Sequence, residues 1–225
     1  MHRVRGFAIF ALIGVAFTMA AGAATKVHVI TFGKWTPVQW LRFDAEPLTI
    51  KVRPLVVDGR IRENTVGASH DITERLFAVR RAYRVNDGLP ADSAPHWQWE
   101  RGGWLLVDRM TGRISPINLP EFDAYYSSAS WYRDYVAYCG VADDGKKTYA
   151  IVAQISRRKP VLKKALANDG IADDAAPDSA CPAPSWQRNP VRVSFEFAGS
   201  AKQTFAIRGH LVDVVSEADE EDEGR

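Results

Sequence analysis

Short apolar runs separated by Asp-Gly pairs constrain the fold of this chain more than any other feature. Asp-Gly occurs four times, at Asp58-Gly59, Asp87-Gly88, Asp144-Gly145 and Asp169-Gly170. Both residues of the pair tolerate a positive φ, which the common two-residue hairpin turns require. Asp-Gly between apolar runs therefore predicts β-hairpins as the main building unit.

The clearest hairpin lies in YVAYCGVADDGKKTYAIVAQI, where Tyr135 to Val141 and Thr148 to Ile155 flank a turn at 143–146. Apolar and polar side chains also alternate along 191–197, with the period of a strand that buries one face. Further strands are predicted where β-branched and aromatic residues cluster. They cover Val27 to Phe32, Val38 to Phe43, Leu48 to Val57, Phe205 to Ile207 and Leu211 to Val215.

One segment leaves the choice between helix and strand open, and a second is a helix candidate. Residues 71–85 begin with a capping-box pattern and carry apolar side chains at helical spacing, yet they alternate equally well as a strand. We favour a strand, because the surrounding segments are short strands and hairpins. Pro160 to Asn168 is the other helix candidate, since Pro160 suits a first helical turn and Leu162 and Leu166 share a face.

The expected fold class is mainly β, with antiparallel sheets in a sandwich-like or curved arrangement and at most one or two short helices. WLLVDRMTGRISPINL predicts a hairpin of Trp104 to Asp108 and Arg113 to Asn118, with Gly112 in the left-handed position of its turn. This hairpin resembles the outer strands of a β-propeller blade, and WYRDYVAYCGVADDGKKTYAIVAQI resembles the inner strands of the next blade. Because the chain is short for a closed propeller, the resemblance implies twisted antiparallel sheet and no activity. The whole chain also resembles secreted bacterial β-rich proteins, a likeness that implies no function.

The N-terminus has the layout of a cleaved secretory signal peptide that covers 1–23. Arg3 and Arg5 form a basic start, 7–20 is an apolar run, and Ala21-Gly22-Ala23 fits a small-residue cleavage site. The run is short for a transmembrane span, although an uncleaved membrane anchor stays open as an alternative. No second apolar run follows, so we expect a periplasmic or secreted protein with no membrane span after cleavage.

Composition divides the mature chain into four parts. The main β-domain is predicted at 24–167, an Ala/Asp/Pro-rich linker at 168–185, and a C-terminal β-hairpin element, packed on the main domain, at 186–216. A disordered acidic tail is expected at 217–225, because the last ten residues hold six acids and one arginine. Such a tail competes with phosphate for a basic surface, which argues against nucleic acid as a partner.

Cys139 and Cys181 are the two cysteines of the chain. Pairing is favoured in an exported protein, so we predict a disulfide between them. It would add about 4 kcal/mol in the chain-entropy model for a loop of roughly 40 residues. A buried thiol at Cys139 and a loop thiol at Cys181 are the alternative. Two cysteines give neither a CxxC motif nor metal-ligand spacing, so no metal and no cofactor is expected.

The stretch WQWERGGW, residues 97–104, is the densest aromatic segment. Trp97 and Trp99, with Trp104 if the strand is continuous, fall on one side, and Gly102-Gly103 indicates a bulge or turn that re-aims Trp104. Filling of the core is the favoured role of these indoles. The functional alternative is a stacking platform for sugar rings or a hydrophobic peptide. Its predicted ligand-binding residues are Trp97, Trp99, Trp104 and Arg101.

No motif selects a catalytic residue. Consecutive side chains in Ser69-His70-Asp71 point in different directions and cannot form a nucleophile–base chain. Glycoside hydrolysis needs two acids across a cleft, and nothing in the sequence selects a pair such as Asp123 and Asp134. The pairs Arg80-Arg81 and Arg157-Arg158 are expected to bind carboxylates or stack on aromatic rings, with binding of an anionic envelope polymer as the minor alternative.

These observations favour a non-catalytic protein of the cell envelope or extracellular space that acts as an interaction module for an envelope protein or a glycan. The alternative is an envelope hydrolase that acts on glycan or peptide, with acidic residues brought together only by the fold. A purely structural accessory subunit is a third interpretation.

Overall fold

The computed structural model describes residues 27–40, 48–91, 93–166, 182–197, 202–209 and 211–214. Within these ranges the secondary structure consists of β-strands, and no helix is present. Nearly all strand pairs are antiparallel. The expected mainly β fold of antiparallel sheets is therefore confirmed. The strands form three sheets, which we call the first, middle and C-terminal sheets.

The first sheet contains seven strands: β1 (Ile30–Phe32), β2 (Thr36–Trp40), β3 (Leu48–Val57), β4 (Arg60–Asp71), β5 (Leu76–Asn86), β6 (Trp97–Asp108) and β7 (Ile114–Ile117). β2 pairs with β3, β3 with β4, β4 with β5, and β5 with β6. One parallel pair, Trp40 with Trp99, links β2 back to β6, so that these five strands form a closed circuit. One face of this sheet carries an apolar cluster of Leu55, Phe77, Val79, Leu105 and Val107.

The middle sheet contains β8 (Ala129–Tyr132), β9 (Tyr135–Val141), β10 (Thr148–Gln154) and β11 (Leu162–Ala165). The C-terminal sheet contains β12 (Ser185–Arg188), β13 (Val191–Phe195), β14 (Gln203–Arg208) and β15 (Leu211–Val214). Side chains from the two sheets share a core that includes Val152, Val193 and Phe205. Leu119 and Phe122, from the connection between β7 and β8, cover the other face of the middle sheet. The middle sheet is thus packed on both sides.

Most of the strand predictions are confirmed. β3 and β9 have the predicted bounds, and the ambiguous segment 71–85 contributes β5, which makes it a strand. Asp58 and Gly59 both have a positive φ between β3 and β4, and Gly112 has a φ of 64° between β6 and β7. The two blade-like stretches form antiparallel sheet, as their resemblance implied, at β6–β7 and β8–β10.

Two local predictions are wrong. The helix expected at Pro160 to Asn168 is absent over its described residues, because Leu162–Ala165 forms β11 and pairs antiparallel with β10. Hydrogen bonds to the exposed edge of β10 outweigh a weak local helix preference. Asp87-Gly88 is not a two-residue hairpin turn, since β5 ends at Asn86 and β6 begins only at Trp97.

Some predictions concern residues outside the described ranges. They are the signal peptide at 1–23, most of the linker at 168–185, Cys181 and the acidic tail at 217–225. The domain boundaries also stay predictions. In the part of the chain that is described, no helix has the length and apolar character needed to cross a membrane.

Candidate functional site

The four residues predicted to bind a ligand lie on one face of β6. Directly opposite residues of an antiparallel pair point to the same side, and alternate residues along a strand share a face. The β5 partners of the four residues are all two positions apart. Trp97 pairs with Asn86, Trp99 with Arg84, Arg101 with Ala82, and Trp104 with Arg80. We call Trp97, Trp99, Arg101 and Trp104 the Trp–Arg row.

A bulge at Gly102-Gly103 brings Trp104 into this row. The pairing passes from Ala82–Arg101 to Arg80–Trp104, so that both glycines lie opposite Arg81 alone. The predicted bulge is therefore confirmed. In a regular strand without the bulge, Trp97 and Trp104 would lie on opposite faces, because side chains alternate. The expectation that a continuous strand would align Trp104 with Trp97 is therefore wrong.

The N-terminal end of the row faces solvent. Trp97 is 51% exposed, and the guanidinium carbon of Arg84 lies 5.2 Å from its ring centroid. Trp99 is half-buried and pairs with Trp40, which is buried. This end of the row offers an open aromatic surface.

The arginines of this face hold a neighbouring segment in place. Arg101 stacks on Trp40, with 3.8 Å between the guanidinium carbon and the ring centroid, and its Nη2 donates to the carbonyl of Tyr125 at 2.8 Å. Arg80 is buried, and its Nη2 donates to the carbonyl of Ala124 at 2.6 Å. Since both carbonyls belong to the connection between β7 and β8, these contacts fasten that connection to the first sheet.

At Trp104 the row meets a cavity of about 490 Å³. A second bulge, in β4, forms one rim: Val66 pairs with Arg80 and His70 with Ala78, so 67–69 lie opposite a single residue of β5. β-Bulges are frequent next to active and binding sites because they re-aim side chains. The lining of the cavity also includes the side chains of Arg80, Arg101, Trp104, Ser128 and Trp131.

Aromatic rings form one wall of the cavity. Trp104 and Trp131 meet edge to face with their ring centroids 5.0 Å apart. His70 stacks on Trp131 at 5.5 Å, and its Nε2 lies 2.7 Å from the carbonyl oxygen of Arg133. Because a carbonyl only accepts hydrogen bonds, Nε2 carries a hydrogen and donates it. This hydrogen bond fixes the orientation of the His70 ring against the wall.

The indole N–H groups of Trp104 and Trp131 are buried and have no hydrogen-bond partner among the described residues. Leaving a buried donor without an acceptor costs about 1–3 kcal/mol. Buried tryptophans normally avoid this cost, because their N–H finds a partner. Trp186, in the C-terminal sheet, has a buried indole N–H of the same kind but does not belong to the lining. Since both nitrogen atoms are closed off from solvent, a ligand in the cavity can contact the rings of Trp104 and Trp131 but not their N–H groups.

The carboxylates considered for hydrolysis serve the fold. Asp123 Oδ1 accepts hydrogen bonds from the backbone N–H groups of Tyr125 and Tyr126, at 2.7 and 3.0 Å. Asp134 Oδ2 accepts from Nε2 of Gln154 at 2.7 Å. Neither acid is part of the cavity lining. Within the described ranges, no group of three or more His, Cys, Asp or Glu side chains is placed to hold a metal ion.

The structure adds His70, Trp131 and Arg80 to the four residues that the sequence singled out. Sequence reasoning considered His70 only as part of a triad and expected a structural role for Arg80. Gly67 was the available signal, since a glycine inside a strand often marks a bulge, and its φ of 73° lies in the region that favours glycine. Trp131 reaches Trp104 only through the packing of two sheets, which no local pattern encodes.

The chain matches no protein-family model and no curated protein. An inference of function therefore depends on the geometry and chemistry of the cavity and the Trp–Arg row.

Proposed function

We propose that this protein is an exported, non-catalytic interaction module that binds an envelope or extracellular glycan or protein through the cavity and the Trp–Arg row. The observation that carries this proposal is the aromatic wall of the cavity, which the rings of Trp104, Trp131 and His70 form. The rings are held against one another by edge-to-face and stacking contacts, so a ligand that packs on them meets a wall that is already formed.

The shape of the region supports the same proposal. Cavities that take small ligands or parts of larger ones have volumes of roughly 300–1,000 Å³, and this one measures about 490 Å³. The indole rings of Trp104 and Trp131 offer apolar contact to a sugar ring or a side chain. Trp97 and Trp99 extend the aromatic surface along the same strand, so a polymer could occupy both the cavity and the row.

Export and a Cys139–Cys181 disulfide are further parts of the proposal. Export is supported by the N-terminal sequence. Cys139 is fully buried on β9, and the described residues include no free cysteine. Protein purified from the periplasm or medium should take up no alkylating label in denaturant without reductant, and two labels after reduction. Two labels without reductant would reject the disulfide, and retention of the whole chain in the cytosol would reject export.

Tryptophan indole NMR tests the binding proposal directly, because the indole signals of Trp104 and Trp131 report on a ligand that packs against these rings. The ¹⁵N-labelled mature protein is titrated with peptidoglycan fragments, other soluble envelope oligosaccharides and envelope-derived peptides. Trp104→Phe and Trp131→Phe assign the two signals, which should shift when a ligand packs against the rings. Each variant keeps an aromatic ring but offers a smaller one, so its affinity should fall about tenfold, the equivalent of roughly 1.4 kcal/mol of lost ring contact.

Trp186→Phe is the matched control. It removes a buried indole N–H that also has no partner among the described residues, but outside the cavity lining. Its affinity should equal that of the unmodified protein. If no ligand class shifts the Trp104 or Trp131 signals, or if all three variants weaken binding equally, the cavity is not the binding site.

A further inference from the structure

Another cavity, of about 450 Å³, lies where the first and middle sheets meet. Its lining comes from β6 and β7, from the connection that follows β7, and from the end of β10 with the segment after it. We call it the Leu106 cavity. None of its described lining residues belongs to the lining of the cavity at Trp104. The proposed function therefore makes no use of the Leu106 cavity.

Most of the lining of the Leu106 cavity is apolar. Leu106 lies two residues from Trp104 on β6 and shares its face, and Ile117 of β7 pairs with Trp104. Both Leu106 and Ile117 are only half-buried. The other apolar residues of the lining are Pro116, Leu119, Pro120, Ala153, Ile155 and Pro160. Cavities that take small molecules are lined in this way, with a few polar groups that fix the orientation of the ligand.

The charged groups of the lining are two arginines. Arg157 and Arg158 follow β10, and both are exposed. The sequence led us to expect that arginine pairs bind carboxylates or stack on aromatic rings. Arg81 does so, with its Nε 2.9 Å from Oε2 of Glu63. Neither Arg157 nor Arg158 forms an ion pair or a ring contact with another described residue, so the expectation is wrong for this pair and both charges face the cavity or solvent.

The remaining polar groups do not cancel this charge. No aspartate or glutamate is among the described lining residues, and the amides of Asn118 and Gln154 are neutral. Asp134 comes close to the lining through Gln154, whose Nε2 donates to Oδ2 of Asp134 at 2.7 Å. That carboxylate thus binds an amide and neither guanidinium group. Guanidinium groups stay charged at physiological pH and only donate hydrogen bonds, so the lining favours an anion.

We infer that the Leu106 cavity binds a small organic anion with an apolar body, of the class of medium-chain carboxylic acids. Arg157 and Arg158 bind the carboxylate, because the planar guanidinium fork matches its geometry. The apolar body lies against Leu106 and Ile117. An ion pair with an exposed arginine contributes little by itself. The arginines therefore select the sign of the charge, and the apolar lining supplies most of the affinity.

Carboxylic acids of increasing length test both parts of this inference on the intact mature protein. Butanoate, hexanoate and octanoate are titrated at concentrations where they stay monomeric. The methyl signals of Leu106 and Ile117, assigned with Leu106→Met and Ile117→Val, report binding by NMR. Affinity should rise about fourfold with each added CH₂ that the cavity buries. Octylammonium has the same chain with the opposite charge, and it should bind at least tenfold more weakly than octanoate.

Substitutions at exposed arginines test the role of the charge with little risk to folding. Arg157→Gln/Arg158→Gln removes both charges and should lower the affinity for octanoate about tenfold. Arg157→Lys/Arg158→Lys keeps the charges and should retain the preference for octanoate over octylammonium. Arg60→Gln/Arg62→Gln is the matched control, because these exposed arginines line a different cavity. The same loss of net charge there should leave octanoate binding unchanged.

A variant that ends at Ser216 removes the six acids of the tail, which would compete for the same arginines. Octanoate binding at Leu106 by either the mature chain or this shortened chain supports the site. No methyl shift in either chain would overturn it, as would equal binding of octanoate and octylammonium. Equal losses in the two glutamine variants would also overturn it, because the effect would then follow net charge alone.

Two further outcomes separate this inference from its alternatives. Octanoate shifts confined to the indole signals of Trp104 and Trp131 would place the acid in the other cavity, which overturns this inference and leaves the proposed function standing. Arginine-dependent retention on phosphatidylglycerol vesicles, without any response to octanoate, would assign Arg157 and Arg158 to a membrane surface and also overturn it. Failure of glycans and peptides to shift Trp104 or Trp131 bears only on the proposed function.

Discussion

The middle sheet and the Trp–Arg row are buried in different ways. β9 and β10 of the middle sheet place aliphatic side chains such as Val136, Ile151 and Val152 on both faces, and all three are 0% exposed. The row is exposed at Trp97, but towards Trp104 it takes indole and guanidinium groups out of water, and their polar atoms then need partners. Arg101 donates to a backbone carbonyl, whereas the N–H of Trp104 has no acceptor among the described residues.

This difference separates stability from binding. Apolar packing on both faces stabilises the middle sheet and leaves no donor for a ligand. The row contributes less efficiently to stability, because each buried polar group must first be desolvated, but it places aromatic rings next to a cavity. We therefore expect substitutions in the middle sheet to lower the free energy of unfolding strongly, and substitutions in the row to act more on binding.

Ile151→Ala should give the largest loss of stability. Ile151 is fully buried and packs with Val136 and Tyr138. Its truncation removes apolar contacts and leaves a cavity, which costs about 2–5 kcal/mol. Chemical denaturation measures this change in the free energy of unfolding. Ile61→Ala is the control, because Ile61 is 65% exposed on β4, and it should cost less than about 0.5 kcal/mol. Equal losses would show that the middle sheet is not the main core.

Gly140→Ala should give the next largest loss. A Cβ at Gly140 would clash with Cδ1 of Ile151 and lie 3.2 Å from the backbone oxygen of Glu121. Overpacking of this kind costs about 1–3 kcal/mol. In an Ile151→Val background Cδ1 is absent, so the same glycine substitution should cost less.

A double-mutant cycle measures this coupling between positions 140 and 151. Strict additivity of the two changes would contradict the tight packing of β9 against β10. We expect such coupling in the middle sheet and not in the Trp–Arg row, because the row contains no glycine enclosed by aliphatic side chains in this way.

Local sequence patterns predicted much of the fold. Gly59 and Gly112 each take the positive φ that their hairpins require, so the local sequence alone predicts these turns. The strand at β5 followed from its neighbours, because residues 71–85 fit both periods. β11 could not be predicted in the same way, since it is a strand only because the edge of β10 is there to pair with it.

The site was predictable only in part. Clustered aromatic residues and Gly102-Gly103 pointed to β6, and all four predicted binding residues do share one face. The cavity needed two further facts that the sequence does not state. One is the number of extra residues at each bulge, which decides the face that Trp104 occupies. The other is the packing of the middle sheet on the first sheet, which brings Trp131 to within 5.0 Å of Trp104, centroid to centroid.

Alanine at Gly102 and at Gly103 should separate the two sides of the bulge. A Cβ at Gly102 would lie 3.2 Å from both Cβ of Arg81 and Cε1 of Tyr83, whereas a Cβ at Gly103 would have no neighbour within 4 Å. We expect Gly102→Ala to cost about 1 kcal/mol through mild overpacking. Gly103→Ala should be neutral or stabilise by up to about 1 kcal/mol, because it restricts the unfolded chain. Thermal unfolding checks both, and the opposite ranking would reverse the assigned orientation of the bulge.

Asp108→Asn should give the smallest change, one that depends on pH. Asp108, at the end of β6, accepts hydrogen bonds from the exposed Arg75, and this interaction holds the pKa of Asp108 well below its usual range. Because the folded-state pKa is depressed, the stabilisation is fully present above the unfolded pKa of about 3.9 and is lost as pH falls through the folded value. The difference in Tm between the two proteins should therefore be constant from pH 7 to 5 and shrink below pH 4.

Asparagine can still accept from the backbone N–H groups of Met110 and Thr111. A Tm difference that persists unchanged at pH 2.5 would thus show that the charge of Asp108 does not contribute. In that case the exposed Arg75, like the half-buried Arg101 of the row, would act through geometry more than through charge pairing.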